Sequence, residues 1–199
     1  MTNLKSFSKN IPLLLLLVAI VFSCNSNSSS TQADKNKNAD TTEEYFSVKI
    51  DGVLWQAFPS KEFKRYNVSY KEIGHQFSIF AEAEDGSRMD LSFHSVNELK
   101  PGNFPSTRND NGMLSGVFYY PEAKSSDKEM ASTTFDYPIQ ENTVQLIRID
   151  KSNPKAYVIE GTFAPTLYAV YETNTKRTSK LSEGKFKVIY EPDAMKPAF

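Results

Sequence analysis

The sequence predicts an all-β fold, a two-sheet antiparallel β-sandwich of about nine or ten strands. Three observations carry this expectation. Apolar residues beyond residue 45 recur with period two, the spacing of a strand with one buried face. No window of eleven residues shows a helical stripe, and Asp-Gly, Pro-Gly, Asn-Gly and Glu-Gly pairs punctuate the pattern as turns do. The 155 residues from 45 to 199 also hold 23 of the chain's 25 aromatic side chains, enough for a core without disulfides.

The chain divides at its ends before it divides into strands. Lys5 and Lys9 precede an unbroken apolar run of ten, Leu13 to Phe22, followed by Ser23 and Cys24. Ten is the length of a signal-peptide core and well short of the ~20 residues that span a bilayer. Val21-Phe22-Ser23-Cys24 resembles the lipobox of bacterial lipoproteins, with the bulky Phe22 at the permissive position. The resemblance implies removal of residues 1–23 and acylation of Cys24, the one cysteine of the chain. Two or more acyl chains make a stable anchor where one is marginal.

Residues 24–44 contain no Leu, Ile, Val, Met or aromatic residue, so nothing offsets the entropy of ordering them, and they read as a tether. Residues 45–199 are the sandwich domain. Without residues 1–23 the chain holds 21 bases against 24 acids, a balance that gives no footprint for nucleic acid.

The strands follow in order. An Asp51-Gly52 type I′ turn sets Ile50 opposite Val53, Val48 opposite Trp55 and Phe46 opposite Ala57, all on one face. A strand at Phe63 to Tyr70 comes next, then a hairpin between Gln76 to Ala83 and Arg88 to Ser95. A three-residue loop, Asp85 to Ser87, aligns its apolar faces and sets Glu82 opposite Asp90, Ser78 opposite His94 and Glu84 opposite Arg88. Asn97 to Gly112 reads as a long loop. Further strands are expected at Met113 to Tyr120, Ser132 to Tyr137, Thr143 to Asp150, Ala156 to Phe163, Thr166 to Tyr171 and Gly184 to Tyr190, and a helical turn within Pro121 to Ala131. The apolar phase shifts between Leu146 and Ile147, as at a bulge or in a strand covered on both faces.

Four segments together resemble a family of uncharacterised Bacteroidota lipoproteins: Phe46-Ser47-Val48-Lys49-Ile50-Asp51-Gly52-Val53-Leu54-Trp55-Gln56-Ala57, Lys100-Pro101-Gly102-Asn103-Phe104, Glu160-Gly161-Thr162-Phe163 and Glu183-Gly184-Lys185-Phe186-Lys187-Val188. The resemblance implies a β-sandwich lipoprotein of the bacterial outer membrane and assigns no activity. In such proteins an acidic cluster just after the lipidated cysteine marks export to the surface. Asn25 to Ser30 has no acid, which favours the periplasmic face.

Catalytic motifs are missing: no G-x-S-x-G, no phosphate-binding G-x-x-x-x-G-K-[ST], no H-E-x-x-H and no dinucleotide-binding G-x-G-x-x-G. Of the two histidines, His75 reads as a solvated turn residue. In the expected register Glu82 and Asp90 are opposed like charges, which cost stability and which a Ca²⁺ ion would relieve, with His94 or Ser92 as further ligands. The simpler reading is a solvated pair relieved by Arg88. Trp55, Tyr119, Tyr120, Tyr168 and Tyr171 are candidates for an aromatic platform. Tyr119 and Tyr120 point to opposite faces of their strand, which exposes one of them. The sequence therefore predicts a lipid-anchored, non-enzymatic module for a protein or glycan partner. The alternatives are a carboxylate-dependent glycan hydrolase or a cation-stabilised domain built on Glu82 and Asp90.

Overall fold

Asp51 and Gly52 both take positive φ, 50° and 85°, as a type I′ turn requires. They join β1 (Tyr45–Ile50) to β2 (Val53–Ala57). The pairs are Phe46 with Ala57, Val48 with Trp55 and Ile50 with Val53, the register that the sequence dictates. Phe46, Val48, Trp55 and Ala57 are buried, whereas Val53 is 72% exposed because the shared face runs out of the core at the turn.

The computed structural model describes residues 43–122, 128–133, 138–171 and 177–194. The signal peptide, Cys24 and the tether up to residue 42 lie outside the described residues. So does most of the strand expected at Ser132 to Tyr137. The remaining strands are β3 (Asn67–Lys71), β4 (Gln76–Glu82), β5 (Arg88–His94), β6 (Gly102–Phe104), β7 (Leu114–Tyr120), β8 (Met130–Ala131), β9 (Val144–Asp150), β10 (Tyr157–Phe163), β11 (Thr166–Ala169) and β12 (Thr178–Tyr190). Among the described residues the fold is all-β, with twelve antiparallel strands rather than nine or ten, in a sheet that does not close.

The long strand β12 joins the two layers. Its first residues pair with β11, which continues through β8, β7, β5 and β4 to the edge strand β3; its later residues pair with β10, which continues through β9 to β6. β1 lies along its other side, with β2 beyond. The layers meet across a core of aromatic rings: Phe93 of β5 stacks on Phe186 of β12 and tilts against Phe104 of β6, with centroids 6.3 Å and 5.3 Å apart.

Two Glu-Gly-x-Phe segments occupy the centre of this joint. On β10 and β12 they pair reciprocally, Gly161 opposite Phe186 and Phe163 opposite Gly184. A Cβ at Gly184 would lie 2.1 Å from the Phe163 carbonyl oxygen, and one at Gly161 would lie 2.5 Å from both the Gln145 carbonyl oxygen and the Phe186 ring. Each ring fills the space that the opposing glycine leaves.

The expected phase shift in β9 is a bulge. Glu160 pairs with Arg148 and Gly161 with Leu146, so Ile147 is the extra residue, and it is half exposed. The hairpin of β4 and β5 corrects the sequence reading. Glu82 pairs with Arg88, Phe80 with Asp90 and Gln76 with His94, a register two residues from the one expected. The loop is five residues long: Asp85 accepts hydrogen bonds from Ser87 N and Oγ, at 2.8 and 2.6 Å, and Ala83 N donates to Ser87 O. A shift of two leaves every side chain on the same face, so alternation alone does not separate the two registers.

Candidate functional site

Arg88, Asp90, Ser92 and His94 alternate along β5 on the face opposite Met89, Leu91 and Phe93, which are core. With Arg88 rather than Asp90 across from Glu82, the like-charge opposition that motivates a bound cation is absent. Arg88 lies over the Tyr120 ring, 4.3 Å from its centroid, and its Nε is 3.0 Å from Asp90 Oδ1. Both atoms are out of solvent contact, and the ion pair is what accompanies the carboxylate there. Burial raises the pKa of Asp90, and Arg88 opposes that rise.

His94 stands four residues further along the strand, ~13 Å from Asp90 between Cα atoms, whereas the ligands of one Ca²⁺ all lie within ~2.6 Å of it. Its Nε2 is buried without a hydrogen-bond partner. Burial, and then Arg108, lower its pKa, which keeps the imidazole neutral. No group of three His, Cys, Asp or Glu gathers at ligand range among the described residues. His75, expected in a turn, is there, and its Nδ1 is 2.9 Å from the Tyr70 hydroxyl.

The predicted aromatic platform is also redistributed. Trp55 is buried, donates from Nε1 to Ser87 Oγ at 2.7 Å and meets Phe46 and Tyr119 edge-on. Tyr119 is half-buried against it, and Tyr120 is half-buried beneath Arg88, so neither stands free. Among the described residues, the exposed aromatic rings apart from Tyr171 at 60% are Phe63, Phe58 and Phe80, at 72, 47 and 38%.

These three phenylalanines border one groove of ≈ 1600 Å³ that runs along β3. The turn that builds its near wall replaces the start of the strand expected at Phe63. Ser60 N donates to Arg65 O and Lys64 N to Ser60 O, which leaves Phe63 pointing to solvent. Tyr66 fastens the turn to the core through a 2.8 Å hydrogen bond to Ala57 O, and burial pushes its phenol up to about 12. The far wall is the end of β12 with Glu191 and Pro192. Lys61, Arg65 and Arg88 face Glu62, Glu82, Glu84 and Glu191 around the rim, a near balance without a strong field of either sign.

Glu44, assigned by sequence to the tether, is fastened beneath this wall. Its Oε1 accepts from Ile189 N at 2.6 Å, and its Oε2 lies 3.7 Å from Arg65, which also reaches Glu191 at 3.5 Å. Burial raises its pKa above the ordinary 4.5, against the pull of the Ile189 N–H and Arg65. An acid whose folded pKa is raised adds stability below its unfolded value and loses it as pH climbs through the folded value. The melting temperature of the wild type relative to Glu44→Gln is therefore expected to fall as pH rises from below 4.5. A relative melting temperature that rose over that window would overturn the assignment.

The opposite sheet carries a second, smaller concavity of ≈ 540 Å³. Asn103, Gln145, Thr162, Lys185, Ser47 and Gln56 form one register row across six strands there. No protein-family model, no curated protein and no solved structure matches the chain.

Proposed function

We propose that the chain is a lipid-anchored envelope lipoprotein that binds a protein or glycan partner in the groove along β3 and catalyses no reaction. The observation that carries this is the coincidence of Phe58, Phe63 and Phe80 on one large concave surface, since grouped exposed aromatics in a soluble domain mark a binding surface. The hydrolase alternative needs one carboxyl group held neutral beside a second. Arg88 stands beside Asp90 and opposite Glu82, so the geometry lends that alternative no support.

A thermal-shift screen of the full chain against envelope glycans and synthetic peptides tests the groove, because a binder of the native state raises its stability. The shift is expected to vanish in Phe63→Ala, whose own stability changes by less than about 0.5 kcal/mol, and to persist in Gln145→Ala on the opposite sheet. Equal shifts in both variants would place the ligand elsewhere.

The anchor reading rests on Val21 to Cys24 and on the apolar run before it, and the acid-free Asn25 to Ser30 favours the periplasmic face of a bacterial outer membrane. Cells fed a labelled fatty acid are expected to label the wild-type chain and not Cys24→Ala, which stays in the soluble fraction. Label retained by the variant would reject acylation at this residue.

A further inference from the structure

Successive side chains of a strand leave on opposite faces. Asn67, Val68, Ser69 and Tyr70 nevertheless all border the groove, so the concavity meets β3 along its edge rather than over one face of the sheet. Among the described residues β3 pairs with β4 alone. Alternate residues of such a strand turn both N–H and C=O away from their partner, toward the side of β3 that β4 does not occupy.

Exposed edges are usually blunted by a proline, a bulge or an inward charge, because they template pairing with another chain. The sequence of β3 contains no proline, and its register with β4 runs from Asn67 opposite Phe80 to Lys71 opposite Gln76 without a shift. Its one charge, Lys71, sits at the end. Among the described residues the other edges differ: β6 is three residues long, and β2, which pairs with β1 alone, lies outside the lining of the groove, which the chain leaving β2 enters only from Phe58 on. β3 is the edge that is both unblunted and set in a groove.

We propose that β3 takes an extended peptide segment of a protein partner as an added strand. Main-chain hydrogen bonds to β3 supply the affinity, and alternate apolar side chains of the peptide pack beside Val68 and Tyr70. The inference rests on the groove reading above and gives the ligand a chemical class. Groups that point the same way along β3 repeat every ~6.8 Å, the repeat of an extended polypeptide backbone. The near-balanced charge of the rim selects neither a polyanion nor a polycation, and the exposed rings of Phe58 and Phe63 offer apolar side chains a wall. A strand of five residues suits a segment of similar length.

The test pans a random-peptide display library against the full chain. Selected peptides are then synthesised with single backbone N-methyl groups at each position. Binding is expected to slow amide exchange within residues 67–71, and N-methylation at every second position is expected to weaken it about tenfold, the loss of roughly one well-made hydrogen bond. Peptides whose binding is lost in Phe63→Ala but does not protect residues 67–71 would overturn strand addition and leave the groove reading standing. So would a glycan whose binding is lost in Phe63→Ala while the library yields no peptide. A self-association that protects residues 67–71 would make a second copy of the chain the occupant and overturn the partner. If neither peptides nor glycans bind, both the strand addition and the groove reading fall.

Discussion

Gly184→Ala is expected to destabilise the domain by about 3 kcal/mol, the upper end of what overpacking a core costs. The added methyl would meet the Phe163 carbonyl oxygen at 2.1 Å and both edges of the Phe163 ring at 3.0 Å. A ring can rotate, but the carbonyl belongs to the neighbouring strand and moves only if β10 and β12 part. Truncating Phe163 would therefore not rescue the variant, because the oxygen stays. Urea unfolding checks this. An unchanged midpoint would mean that the two strands do not approach so closely at this pair.

Phe46→Ala is expected to cost about 3–5 kcal/mol, as large-to-small changes of buried phenylalanines do. Phe46 is fully buried, and its ring meets Trp55, Tyr66, Phe163 and Phe186 with centroids between 5.2 and 6.4 Å. These four neighbours come from β2, the groove-wall turn, β10 and β12, so no single segment can collapse into the void. Against a typical net stability of about 5–15 kcal/mol the loss is a large share, and it shows as a lowered midpoint with an unchanged slope. A loss below about 1 kcal/mol would show that the cluster repacks.

How far the sequence reached depends on how local each determinant is. The first hairpin was legible because Asp51-Gly52 specifies both the turn and, through it, the register. The inverted apolar phase of β9 was legible because of one extra residue, Ile147, but a bulge and a strand covered on both faces give the same phase, and the pairing with β10 decides for the bulge. The second hairpin was legible only as to which face is inward, since the loop length turns on hydrogen bonds between Asp85 and Ser87 that alternation does not report. β6 escaped notice because Gly102-Asn103-Phe104 is too short to alternate, and so did the start of β12, where Thr178-Ser179-Lys180 is polar throughout. The candidate site divided in the same way. Glu82, Asp90 and His94 do lie on the outer face, but their neighbours depend on the register. The groove joins Phe58 and Phe63 to Ile189 and Pro192 across most of the domain, and the one local hint of it was an aromatic residue set among charges at Lys61-Glu62-Phe63-Lys64-Arg65.

The placement of β1 also decides how the domain meets mechanical load. A pull on the chain ahead of Glu44 runs lengthwise into a strand flanked by β12 on one side and β2 on the other. Both ladders then bear the force together in shear, where a strand peeled from its end would lose its bonds one by one. The Glu44 bond to Ile189 N, with Arg65 alongside, takes up the first of the strain before any rung of β1 is stretched. Load applied from that side would thereby be shared by two ladders and pass into the sheet rather than peel β1 away.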